Sequence, residues 1–372
     1  MTSSLVEGGV GTGWTVLQCL DMQFKNRAQC EEVLKKEKTT HDGKMVKYLI
    51  SYVTMFLTRA QFARVNTISP SETENENFRW DHTHKCTKSD NNNKFNFEQW
   101  FVGFTDGDGC FNVYINKINK KINFTFKLSQ KNNNIQVLHY MKKSLGVGVV
   151  REDKRGMAHF LIRDKVILKN IIIPLFDKNF LLTSKEYNYQ QFKRCIEISD
   201  STTLTQEQKI NLMDKLLSVQ IPDTFIPSIW HKNKTPITKD WLVGFVEAEG
   251  SFYIVKKGDG RYVHGFGITQ KKDNILLKGI VNHLGVTCTV KFNIKGFYAF
   301  DVMDSNSLKT LKIYFFNTMK GVKSLDYRIW ARSFRDKGKN ENMQKVQTLL
   351  RDIRKDPTKF ETELEDKNQI KE

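Results

Sequence analysis

The stretch WFVGFTDGDGCF at residues 100–111 returns as WLVGFVEAEGSF at residues 241–252, displaced by 141 positions and without a gap. The likeness runs on. Gln130-Lys131 returns as Gln270-Lys271, Asn134-Ile135 as Asn274-Ile275, and Leu145-Gly146-Val147 as Leu284-Gly285-Val286. Lys185 and Tyr189 return as Lys323 and Tyr327, by which point the offset has drifted only to 138. Self-similarity sustained over such a length means one unit of roughly 100 residues, present twice in tandem.

Each copy opens with a helical pattern, since Trp100, Phe101 and Phe104, like Trp241, Leu242 and Phe245, recur at one-turn spacing before glycines that end the helix. Past Gly109, Phe111, Val113 and Ile115 alternate with Cys110, Asn112 and Tyr114, and Phe124, Phe126 and Leu128 alternate with Thr125, Lys127 and Ser129. A half-buried hairpin with one polar face is expected there. Further strands are expected at 148–151 and 158–163, and helices at 135–145 and 184–195. The unit therefore reads helix, hairpin, helix, hairpin, helix, an α+β module with helices backing one sheet face. Residues 95–220 form the first module and 239–355 the second. Three of the six prolines fall within 221–238, which marks the linker. An amphipathic helix is expected at 204–219 and a matching one at 340–354. Residues 1–94 read as an extension ending in a polar, Asn-rich loop, and 356–372 as a charged tail.

Acids at a helix C-terminus oppose the helix dipole, which favours cations there. Both copies nevertheless carry them, Asp106 with Asp108 and Glu247 with Glu249. Solvated caps would explain one copy, but recurrence at a single offset, each time just before a polar-faced hairpin, points to use. Gly103, Gly107, Gly109, Gly244, Ala248 and Gly250 would let the two helices approach side by side, bringing Asp108 and Glu249 together. Like charges that close call for a cation, and carboxylates completed by substrate phosphate are the expected surroundings of Mg²⁺.

At these residues the chain resembles the single-chain LAGLIDADG homing endonucleases: FVGFTDGDG and LVGFVEAEG are similar to that family's two motifs, and the likeness extends over about 95–335. Phe101 stands where the family has Leu, and the sixth motif position is Asp106 in one copy and Glu247 in the other. The metal-binding eighth position falls on Asp108 and Glu249, acidic in both. The resemblance implies two αββαββα halves in a pseudo-twofold saddle over the DNA major groove, with the motif helices between them. Pleat alternation would then turn Cys110, Asn112, Tyr114, Lys127, Ser129, Ser251, Tyr253, Val255 and Thr269 to DNA, with Arg151, Arg163 and Lys291 as phosphate or base contacts. Lys185 and Lys323 resemble basic residues that the family places near the scissile phosphates, and Gln130 and Gln270 positions near its active site. Implied are Mg²⁺ or Mn²⁺ as cofactor, double-stranded DNA as substrate, a monomer, and intron homing. The alternative role is a maturase that helps its own intron RNA to splice.

Composition agrees. The 372 residues hold 59 Lys and Arg against 41 Asp and Glu, a net charge of +18, which favours an anionic polymer or membrane. Residues 1–90 hold 12 basic and 11 acidic residues, so +17 belongs to the rest. Six scattered cysteines without framework spacing are expected to be free thiols in a reducing compartment. The apolar run YLISYVTMFL (48–57) is about half the length that spans a bilayer, so no membrane partner is expected. GGVGTG at 8–13 lacks the Gly-Lys-Ser/Thr of a phosphate loop, and His82, His84 and Cys86 have no evident fourth ligand, so both read as loop. Residues 2–16 resemble part of cytochrome c oxidase subunit 1, which implies a mitochondrial intron frame continued from an upstream exon. Residues 1–90 are accordingly expected to be dispensable for cleavage.

Overall fold

The computed structural model describes residues 95–231 and 236–355. The run 48–57, the glycines of 8–13 and the group His82, His84 and Cys86 lie outside them, as do both termini.

In the first module, Asn96 caps helix α1 (Phe97–Asp108) by accepting the Gln99 N–H. The chain passes directly into β1 (Gly109–Asn116) and β2 (Lys121–Lys131), then α2 (Ile135–Leu145), β3 (Val149–Glu152) and β4 (Met157–Ile162). A helical run over 165–178 follows, ending in α3 (Ile173–Lys178), and then come α4 (Lys185–Asp200) and α5 (Gln206–Ser218). The second module repeats the order as α6 (Lys239–Glu249), β5 (Ser251–Lys256), β6 (Tyr262–Gln270), α7 (Asn274–Leu284), β7 (Lys291–Asn293), β8 (Phe297–Val302), α8 (Ser305–Tyr314), α9 (Lys323–Arg332) and α10 (Asn340–Lys355). Each sheet is antiparallel with four strands, ordered β1-β2-β4-β3 and β5-β6-β8-β7. The repeated α+β arrangement is the expected one, with one helix more per module. The extra helix in the first module contains a π turn over Leu168–Ile172 and Pro174 at the start of α3, which breaks the 3.6-residue periodicity that would reveal it.

The pleat sorts the strands as read. Phe111, Phe124, Phe126 and Leu128 are buried while Cys110, Asn112 and Tyr114 are exposed, and Phe111 packs on Phe126, Phe176, Tyr189 and Phe192 with ring centroids 5.2–5.6 Å apart. Phe252 plays the same part in the second module, between Phe266, Phe315, Tyr327 and Trp330.

Between the modules α1 and α6 cross at backbone contact. A Cβ on Gly103 would lie 1.9 Å from the Trp241 carbonyl oxygen, and one on Gly244 2.0 Å from that of Trp100. Closer to the helix ends, a Cβ on Gly107 would meet that of Ala248 at 2.3 Å. Only residues without a side chain at 103 and 244 permit this approach, which is what their spacing suggested.

Candidate active site

Two acids in each module divide the work, and the sequence did not say how. Asp106 and Glu247 face inward and are 3% and 4% exposed. Asp106 accepts from the Leu182 N–H at 2.9 Å, from the Thr183 N–H at 3.1 Å and hydroxyl at 2.5 Å, and from the Trp241 indole of the other module at 2.9 Å. Glu247 accepts from the backbone N–H groups of Lys320 and Gly321 and from the Trp100 indole at 2.8 Å. Each therefore fixes the loop that leads into α4 or α9 and binds a tryptophan across the interface. Burial pushes Asp106 up to about 6 and Glu247 to about 7 against the pull of those donors. The repeat of Trp and acid within the motif was the available signal, but the exchange of partners between copies exists only in three dimensions.

Asp108 and Glu249, the last residues of α1 and α6, meet where the helices cross. A Cβ on Gly107 would stand 3.1 Å from Glu249 Cγ. Burial raises the pKa of both, and the charge of Asp108 raises Glu249 further. Gln130 donates to Asp108 at 2.6 Å, and Gln270 donates to Glu249.

Lys185 and Lys323, the first residues of α4 and α9, reach the same place. Their ammonium groups donate to the Gly107 and Gly250 carbonyls, each at 2.7 Å. Burial lowers both pKa values, while Asp106, Asp108 and Glu249 oppose this at Lys185, and Asp326 and Asp108 at Lys323. Cations at helix N-termini and anions at helix C-termini each run against the dipole, by ~0.3–1 kcal/mol apiece. Here the two misplacements face one another, so a cluster of opposite charges is held together at sites where neither sign is favoured alone.

The outer faces of the two sheets carry the other residues expected to meet DNA. Strand pairing puts Cys110 opposite Lys127, Ser129 opposite His159, and His159 opposite Arg151, all on one face with Asn112 and Tyr114. Ser251, Tyr253, Val255, Thr269 and Lys291 share the corresponding face of the second sheet. Tyr253 lies across Gly265 and donates to Asp301 at 2.5 Å. Arg163 is exposed but sits beyond the end of β4, at the rim, because the strand stops at Ile162. His159 was not anticipated. It bridges Ser129 at 3.0 Å and Asp153 at 3.1 Å on the first face, and a lone His on a mostly apolar strand carries little signal.

Among the described residues no three His, Cys, Asp or Glu side chains gather in a metal cage. The donor set of Asp108 and Glu249 is all oxygen, two carboxylates of like charge. That suits a hard divalent cation which keeps waters and takes further oxygens from a substrate.

Paired carboxylates at crossing helix ends, each beside a lysine, in two like modules, fit a nuclease. The chain belongs to the LAGLIDADG endonuclease family, whose sequence profile matches residues 101–196 and 242–334. It is 35% identical over 280 residues to the probable intron-encoded endonuclease Cox1-I1b of Schizosaccharomyces pombe, covering 72% of each chain. With the uncharacterized mitochondrial protein RF1 of Saccharomyces cerevisiae it shares 28% over 51% of this chain, and spans 39% of that protein. The fold is that of I-SmaMI bound to uncleaved DNA target in the presence of calcium ions, with a TM-score of 0.58 at 22% identity over 68% of this chain and 98% of that one. The class of fold, the family and the endonuclease activity expected from the paired motifs are thus borne out. No helix among the described residues is long and apolar enough to cross a membrane.

Proposed function

We propose that the chain is a monomeric, site-specific endonuclease that cuts both strands of DNA at the insertion point of its own intron in the mitochondrion, with Mg²⁺ or Mn²⁺. The observation that carries this is the meeting of Asp108 and Glu249 between two outward polar sheets, with Lys185 and Lys323 beside them. The similarity to intron-encoded and mitochondrial proteins and the +17 carried by residues 91–372 support it.

One half-site is read by Cys110, Asn112, Tyr114, Lys127, Ser129 and Arg151, the other by Ser251, Tyr253, Val255, Thr269 and Lys291, with Arg163 on flanking phosphate. Asp108 and Glu249 are the metal ligands. When bound, the divalent cation supplies charge for the scissile phosphate and a more acidic water. Gln130 and Gln270 hold the two carboxylates in orientation through the bonds described. Lys185 and Lys323 place a positive charge where negative charge develops on the phosphate. The same centre serves two strands because each module supplies one acid, one amide and one lysine.

Incubating the chain and Mg²⁺ with intronless host DNA tests the reading. A double-strand cut at the intron insertion junction is expected, and intact DNA would refute it.

A further inference from the structure

The residues that immediately precede the lysine helices do not cap them, although the Thr183 hydroxyl accepts the Lys185 N–H at 3.2 Å. Ser184 and Val322, the residues just before Lys185 and Lys323, make no side-chain cap, and their backbone N–H groups are instead taken by the opposite module. Ser184 N–H donates to Asp273 Oδ1 at 2.5 Å, with its hydroxyl 3.2 Å from Oδ2. Val322 N–H donates to Asn134 Oδ1 at 2.9 Å. Asp273 and Asn134 occupy the turns that follow β6 and β2, 89 and 188 residues along the chain from the residues they hold.

The two clasps are one residue out of register in the repeat. Asn274 is the counterpart of Asn134, yet its Oδ1 is buried without a partner, and the acceptor in that module is its neighbour Asp273. Two different residues thus meet the same need, an acceptor at the residue preceding the opposite lysine. Asn134 does more. Its amide donates to Gln130 at 2.8 Å, and Gln130 donates to Asp108, so one side chain joins the acid of the first module to the lysine helix of the second.

We propose that Asn134 and Asp273 are positioning residues that set Lys323 and Lys185 from the opposite module, so that each strand-cutting half is complete only when both modules are docked. This rests on the nuclease reading above. It departs from what Gln130 and Gln270 do, because it acts across the interface and on the lysine.

The test is a single-turnover cleavage assay on duplex labelled separately on each strand, with DNA affinity measured in parallel. Lys185→Met and Lys323→Met first identify the strand that each lysine serves. Asn134→Ala is then expected to slow the Lys323 strand, and Asp273→Ala the Lys185 strand, on the order of 10- to 100-fold, since a misplaced group costs about that much. The affinity should stay near wild type in both, and the other strand should do so in Asp273→Ala, whereas Asn134→Ala, which also releases Gln130 beside Asp108, should slow the other strand to a lesser degree. Asp273→Asn keeps an acceptor for Ser184 and should recover its strand, and Asn134→Asp should recover the Lys323 strand. Gly321→Ala, whose Cβ would stand 2.5 Å from Asn134 Oδ1, displaces the clasp without deleting it and should reproduce Asn134→Ala if that variant fails to fold. Equal slowing of both strands, no slowing, or lysine variants without strand preference would each overturn the clasp. A wild-type chain that leaves DNA intact would instead refute the nuclease reading, and the clasp with it.

Discussion

Trp241 donates its indole N–H to Asp106 across the interface at 2.9 Å, and Trp100 returns the bond to Glu247 at 2.8 Å. Each module thereby satisfies a buried acid of the other, and each acid also anchors the loop before its own lysine helix. Docking of the modules and placement of the lysines share the same two acids.

Asp106→Asn and Glu247→Gln should therefore destabilise the fold. An amide can accept through one oxygen only, and its NH₂ would face an indole or backbone N–H that now has no acceptor. Leaving a buried donor unpaired costs about 1–3 kcal/mol. Urea unfolding of each variant checks this, and an unchanged midpoint would mean that the bonds are dispensable.

Gly103→Ala and Gly244→Ala should each cost at least about 1–3 kcal/mol, the usual toll of overpacking, because the obstacles at 1.9 and 2.0 Å are backbone carbonyls that cannot swing aside. Gly146→Ala is the contrast. It adds a Cβ in open space, and its penalty, about 1 kcal/mol, comes from a φ of +73° alone. Thermal melts of the three variants should rank the interface pair below Gly146→Ala, which lies at the C-terminal end of α2.

His264 is buried against Phe334 and Ser333, and burial takes its pKa from the ordinary 6.5 down to about 4. The unfolded chain binds that proton more readily, so His264 subtracts stability as pH drops from about 6.5 towards 4, opposite in sign to the raised acids Asp106 and Glu247. In unfolding measurements, His264→Phe should therefore gain stability relative to wild type progressively as the pH is lowered across this window. An identical slope would assign the pH dependence to other groups.

DNA affinity should fall steeply with salt. If the two faces and their rims make five phosphate contacts, the log–log slope is about −4 or steeper. A filter-binding titration that gives a nearly flat line would contradict a basic DNA-binding face.

The repeat and the pleat alternation were open to reading because they are periodic. A helix interface needs small residues at one spacing, and a half-buried strand needs every second residue apolar. Asp108 and Glu249 stood out because their charges oppose the helix dipole, and Lys185 and Lys323 because each recurs with a tyrosine four residues on, at positions that resemble the family's basic residues. Asp106 and Glu247 were visible as acids but not as anchors, since nothing along the chain says that their donors are Trp241 and Trp100. The clasps were hidden for a further reason: Asn134 and Asp273 do not align in the repeat. The strand expected to run to Arg163 stops at Ile162, because the end of β4 depends on pairing with β2, which the local sequence does not contain.

The most direct test is cleavage by the chain carrying both Asp108→Asn and Glu249→Gln, set beside the wild type in Mg²⁺ on DNA bearing the insertion junction. If these carboxylates hold the cation, the double variant should still bind that DNA and cut neither strand. Cleavage at the wild-type rate would contradict the assignment of the active site to the crossing ends of α1 and α6.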